Sequence, residues 1–179
     1  IEIYKREGQK SKEIFQQIFD LNNVEISAEE LEDLVKERRR IFREIENTKP
    51  YHEIQEIIPS LKLRYKLGVV SGSNRETVDK FINKEYQNIF DAVITGDDVE
   101  NTKPNPEPFK KGSNILNLKE DETLVIENSP LGIKSVKKTE MYCIAVSSYL
   151  PAKYLSKAHK TFKNHEELKK YLENKFLNN

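Results

Sequence analysis

Four short apolar runs constrain the fold of this chain more than any other feature: "LGVV" at 67–70, "AVIT" at 92–95, "TLVI" at 123–126 and "CIAV" at 143–146. None alternates apolar with polar residues, as a strand with one wet face would. Uninterrupted apolar strands of this length suit a parallel sheet covered on both faces. A helical pattern follows each run, starting near Asn74, Pro106, Pro130 and Ala152. Such strand–helix alternation predicts an α/β fold, a Rossmann-like three-layer core around a parallel sheet.

Upstream the period is different. From about residue 10 to 47 the pattern is helical, with Ile14, Phe15, Ile18 and Phe19 on one face. Leu31, Leu34, Val35, Ile41, Phe42 and Ile45 then form an apolar stripe behind Ser27 and Glu30, which have the spacing of a capping box. The change near Asn47–Pro50 divides the chain into a helical part, 1–47, and an α/β part, 48–179. The run "KERRR" at 36–40 sits on a Glu-rich helix and reads as a solvated face.

Charge and length narrow the partners. Thirty basic residues balance thirty acidic ones, so no net field draws the chain to nucleic acid or an anionic membrane. No apolar run approaches the ~20 residues of a membrane span, and the first residues do not have the pattern of a secretory signal. The lone Cys143 excludes an internal disulfide and a thiolate zinc cage, and within "YCIAV" it reads as a buried apolar residue. The compartment expected is a reducing cytoplasm.

Ligands of open α/β sheets bind beyond the carboxyl ends of the strands. The first such end reads "VVSGSNRET", where Ser71 ends the strand and Ser73 and Glu76 frame a helix start. A hydroxyl beside free N–H groups at a helix N-terminus suits an anion. The second, "ITGDDVENTKPNPEPF", carries Lys103 before Pro104, which favours extended backbone at the lysine, and Asn105 as a helix cap. Asp97 and Asp98 lie side by side with diverging carboxylates and read as loop residues. The third, "VIENSPLG", ends an apolar strand in Glu127 and Asn128, hard oxygen donors of the kind that suits Mg²⁺.

Hydroxyl, lysine before proline and an acid–amide pair on successive strand ends resemble the haloacid dehalogenase-like hydrolase superfamily, in its helical-cap subgroup with the phosphoglycolate phosphatases and beta-phosphoglucomutases. "GVVSGSNRETV" is similar to the second family motif, "KPNPEPF" to the third and "VIENSPLGIKSV" to the fourth, and "YKREGQKSKEIFQQIF" resembles the cap segment over the substrate. The resemblance implies an Mg²⁺-dependent phosphatase of a small phosphorylated metabolite, acting through an aspartyl-phosphate. It assigns catalysis to Ser71 and Lys103, phosphate binding to Ser71, Gly72, Ser73 and Lys103, substrate contacts in the cap to Gly8 and Lys10, and the metal to Glu127 and Asn128. The carboxylate at the strand tip is then expected to meet the metal, directly or through its shell.

The family's first motif, a central strand ending in Asp-x-Asp, has no counterpart here, and no Asp-x-Asp occurs in the chain. The expectation is therefore a core lacking its central first strand, inactive by itself, with the nucleophile upstream. "IFDLNNVEI" at 18–26 mimics the motif with Asp20 and Asn22, but its apolar residues belong to the cap helix pattern. Asn128 stands where an aspartate is common, and Thr139–Glu140 replaces a small-residue–glycine turn. The alternatives are a catalytically inactive remnant that binds a ligand or partner, and a sugar-phosphate mutase of the same fold. Glu127 argues against a metal-free dehalogenase, and the lack of G-x-G-x-x-G argues against a dinucleotide enzyme.

Overall fold

All four expected strands form, and every strand pair is parallel. The computed structural model describes residues 1–45 and 48–178, with the backbone alone for 42–45. β1 (Gly68–Val70) pairs with β2 (Ala92–Ile94), and β3 (Leu124–Glu127) pairs with β4 (Tyr142–Val146). A fifth strand, β5 (Lys160–Phe162), lies beyond β4. Three helices come first: α1 (Glu2–Lys5), α2 (Ser11–Leu21) and α3 (Ala28–Ile45). α4 (His52–Lys62) precedes the sheet, and α5 (Arg75–Glu85), α6 (Glu107–Leu116), α7 (Pro130–Val136) and α8 (His165–Leu172) follow β1, β2, β3 and β5.

The apolar runs do not alternate because both sheet faces are covered. On β4, Cys143 and Ala145 point into a cluster with Phe109 of α6 and with Ile133 and Val136 of α7. Ile144 and Val146 point the other way, onto Ile57 of α4 and Leu168 and Leu172 of α8. Full burial of each large aliphatic side chain contributes about 1.5–3 kcal/mol. Helices thus sandwich the sheet, and the helix starts expected at Asn74, Pro106 and Pro130 agree with α5, α6 and α7.

The start expected at Ala152 does not. Only one 3-10 turn, Ala152–Tyr154, forms there before the chain runs into β5. Leu155 is drawn fully into the core, and the residues after it carry no apolar stripe that would hold a longer helix against the sheet. Among the described residues β1–β2 and β3–β4–β5 do not pair with each other. Val70 of β1 and Ile126 of β3 line one cavity, and Ile126 is left 43% exposed.

In the helical part, Ser27 and Glu30 make the expected reciprocal cap: the Glu30 N–H donates to Ser27 Oγ at 3.2 Å, and the Ser27 N–H donates to Glu30 Oε2 at 2.9 Å. The stripe of α3 is narrower than expected. Leu31 and Val35, one turn apart, are buried, while Leu34 and Ile41 are exposed because the 11-residue α2 covers only one face of its longer neighbour. The side chains of Phe42 and Ile45, and Asn47 at the expected boundary, lie outside the described residues. Lys36 pairs with Asp33 and Arg40 with Glu37 on the exposed face, as a solvated charge run should.

Candidate active site

The three strand ends meet. After β1 the Ser71 N–H donates to Ile94 O at 2.8 Å, tying this end to β2. The Ser73 N–H donates to Ser71 Oγ at 3.1 Å, and Ser71 lines the cavity. Helix α5 is capped one residue later than expected: Asn74 Oδ1 accepts from the Thr77 N–H at 2.9 Å. Ser73 O instead accepts from the Gly96 N–H at 2.8 Å, so the chain enters the helix only at Asn74, a cap of equal quality. Asn105 Oδ1 accepts from the Glu107 N–H at 3.0 Å at the start of α6.

Lys103 and Glu127, each 6% exposed, form the centre. Lys103 follows a loop from β2 and precedes Pro104 through a cis peptide bond. Its Nζ lies 2.5 Å from Glu127 Oε1 and 3.2 Å from Val70 O, and it sits 4.7 Å from the centroid of the Phe109 ring. Glu127 Oε2 accepts from the Asn128 N–H at 3.0 Å and from the Ser129 N–H and hydroxyl, each at 3.1 Å. Ser129 in turn caps α7 through the Gly132 N–H at 3.0 Å. The carboxylate expected to meet a metal therefore has a lysine as its first partner, which is how a charge at a buried strand tip is offset.

A turn between α1 and α2 closes over this centre. Gly8 has φ +102°, and a Cβ there would stand 2.6 Å from Lys103 Cδ. A Cβ on Gly72 would stand 2.6 Å from Gly8 C and O, and one on Gly96 would stand 2.6 Å from Gly72 O. The three glycines stack backbone on backbone. Lys10 Nζ donates to Val99 O at 3.2 Å, the Thr102 hydroxyl donates to Glu13 at 2.7 Å, and Asn128 Nδ2 donates to Glu7 Oε2 at 3.2 Å. Gly72→Ala is accordingly expected to lower stability by about 1–3 kcal/mol, as overpacking does, read as a shift in the urea midpoint. An unchanged midpoint would mean that the turn does not rest on Gly72.

A cavity of about 790 Å³ is lined by Gly8, Lys10, Ser71, Gly72, Ser73, Lys103, Glu127 and Asn128, which is every site residue expected from the sequence. Glu7 lines it too and was not expected: its one polar contact with the core is to a residue 121 positions away. Burial raises the Glu7 carboxyl above the ordinary range and the charge of Glu127 adds to this, with Asn128 and Lys103 opposing. Asp20 accepts from Gln16 on the exposed face of α2. Asp98 accepts from Thr95 and pairs with Arg75, and Asp97 takes the Arg75 N–H at 2.9 Å, so both brace the start of α5. Cys143 is buried, which pushes its thiol up to about 12.

The donor set fits part of an Mg²⁺ shell. Asn128 lines the cavity, and its Oδ1, a hard oxygen, accepts no hydrogen bond among the described residues. Both oxygens of Glu127 are engaged, which suits a carboxylate that orients a shell better than one that enters it. No group of three or more His, Cys, Asp or Glu side chains that could hold a metal ion occurs among the described residues.

A family model described as haloacid dehalogenase-like hydrolase matches residues 1–146. The chain belongs to the haloacid dehalogenase-like hydrolase family. Among its relatives in this family, pyrophosphatase PpaX of Bacillus mycoides (strain KBAB4) is 31% identical over 139 residues, covering 75% of this chain and 65% of the relative. PpaX of Bacillus cereus (strain B4264) is 33% identical over 112 residues, covering 62% and 52%. The chain thus spans 52–65% of the length of these curated relatives. Solved structures share the fold. A hydrolase from Pseudomonas syringae superposes with a TM-score of 0.85 at 16% identity, covering 97% of this chain and 82% of that one. A beta-phosphoglucomutase from Clostridium difficile gives 0.79 at 22% identity, covering 93% and 77%.

Proposed function

We propose that these residues form the phosphate-binding and metal-binding part of an Mg²⁺-dependent phosphomonoester hydrolase, with 1–47 as its helical cap and 48–179 as its core. One observation carries this: Ser71, Lys103, Glu127 and Asn128, from three different strand ends, line a single cavity. Ser71 would donate its hydroxyl to a phosphoryl oxygen, and Lys103 would offset the charge that builds there. Asn128 Oδ1 would hold Mg²⁺ with Glu127 orienting its other ligands, and the ion would supply further charge neutralisation. Gly8 and Lys10 would shape the cap side of the pocket.

The nucleophile is an aspartate of an upstream Asp-x-Asp segment. Its carboxylate attacks phosphorus, the ester oxygen leaves with a proton from the second aspartate, and water then hydrolyses the aspartyl-phosphate. That β1 and β3 do not pair with each other among the described residues, while Val70 and Ile126 line one cavity, supports a strand entering between them. The names of the relatives, a pyrophosphatase and a beta-phosphoglucomutase, support phosphoryl chemistry on a small metabolite. The full-length protein is expected to hydrolyse an aryl phosphate with Mg²⁺, to stop when EDTA is added and to resume when Mg²⁺ is restored. Failure on aryl, sugar and organic phosphates alike would overturn the hydrolase reading in favour of a ligand-binding remnant.

A further inference from the structure

Gly132 occupies the third position of α7, is buried, and has no positive φ. At such a helical position glycine is less favourable than alanine, since it loses more backbone freedom on folding. Backbone conformation therefore does not ask for it. Space does. A Cβ on Gly132 would overlap Cδ and both carboxylate oxygens of Glu127, standing nearer to them than the 2.6 Å found at Gly8, Gly72 or Gly96. Ordinary carbon contact lies at ~3.5–4.0 Å, so the two groups would have to part by roughly an ångström or more.

Neither backbone is free to give way. Ile133, Ser135 and Val136 are fully buried and hold α7 in the core. Glu127 stands in register with Ala145 of β4, which is buried too. The Glu127 side chain is left to move, and it is tied at both oxygens. Oε1 accepts from Lys103, and Oε2 accepts from the N–H groups of Asn128 and Ser129 and from the Ser129 hydroxyl. A side chain at position 132 would break that set. We propose that Gly132 is a positioning residue: the space left by its missing side chain seats the Glu127 carboxylate where it meets Lys103 and orients the metal shell. Gly132 does not line the cavity and acts through Glu127. The effect on Mg²⁺ rests on the hydrolase reading above, whereas the seating against Lys103 does not.

The test uses the full-length protein. Gly132→Ala should lower kcat/KM on an aryl phosphate by about 10²-fold, the loss that a misplacement of an ångström can cause. It should also weaken Mg²⁺ binding, read by isothermal titration calorimetry, by about tenfold, the lower end of what an outer-shell change costs. Adding Glu127→Asp removes one methylene, so the carboxylate stops short of the new Cβ. That double variant should recover about tenfold of the loss. A double variant whose loss is the product of the two single losses would overturn the proposal, because the two positions would then be independent. So would unchanged kcat/KM and Mg²⁺ binding in Gly132→Ala. Urea denaturation supplies a readout free of turnover and metal. Gly132→Ala should lower the midpoint of the parent but raise it in a Lys103→Met, Glu127→Ala background, where no carboxylate meets the Cβ and alanine is the better helix residue. A midpoint lowered equally in both backgrounds would mean that Gly132 serves helix packing, not Glu127. The expected midpoints with no turnover by the parent would sink the hydrolase reading and keep the seating.

Discussion

Replacing Lys103 with methionine is expected to lower kcat/KM of the full-length protein by about 10²–10³-fold, the loss that follows removal of one preorganised donor. The same change should lower stability by about 3–5 kcal/mol, because a buried ion pair that loses one partner leaves the other charge stranded. Glu127 would keep its bonds from Asn128 and Ser129 but lose its lysine partner, with 6% of its surface exposed. The double variant Lys103→Met with Glu127→Gln removes the stranded charge. It should regain most of the stability in urea denaturation at an unchanged slope, while activity stays low. Recovery of both would mean that Lys103 serves the fold alone. A single variant as stable as the parent would mean that the pair contributes nothing to folding.

The sheet was legible in the sequence because burial on both faces leaves a signature that no surface strand carries. Cys143 and Ala145 serve one cluster while Ile144 and Val146 serve the other, so four adjacent residues had to be apolar. β5 left no such signature: it is an edge strand of three residues in which only Phe162 is buried. Helix α4 was equally obscure, since it buries only Ile57 and carries Pro59 inside it. Strand ends could be found because they follow the apolar runs, and Ser71, Lys103, Glu127 and Asn128 came with them. Contacts between distant segments could not. The pairing of Glu127 with Lys103 was not anticipated because the lysine lies 24 positions back, on another loop. Glu7 was missed for the same reason, since no spacing rule links a turn between two helices to a strand tip 121 positions on.

The 179-residue chain by itself is expected to be slower than a form extended upstream through the Asp-x-Asp segment by roughly 10⁴–10⁶-fold, the range seen when a nucleophile is removed. On the proposed reading the groups in the cavity would bind and neutralise a phosphate, yet among the described residues none is placed to attack it. Ser71 Oγ accepts from the Ser73 N–H, and no histidine lines the cavity to take its proton. Lys103 and Glu127 are committed to each other. Asp97 and Asp98 brace the start of α5, and Asp20 lies on the exposed face of α2. The added segment would also pair with β1 and β3, which do not pair with each other among the described residues, so the longer form should unfold at a higher urea concentration. The most direct test is kcat/KM of the two forms, side by side, on one aryl phosphate with Mg²⁺. Turnover confined to the longer form, and abolished there by changing the first Asp of the motif to Asn, is the predicted result. Equal turnover by the two forms would contradict it and place the nucleophile among the 179 residues.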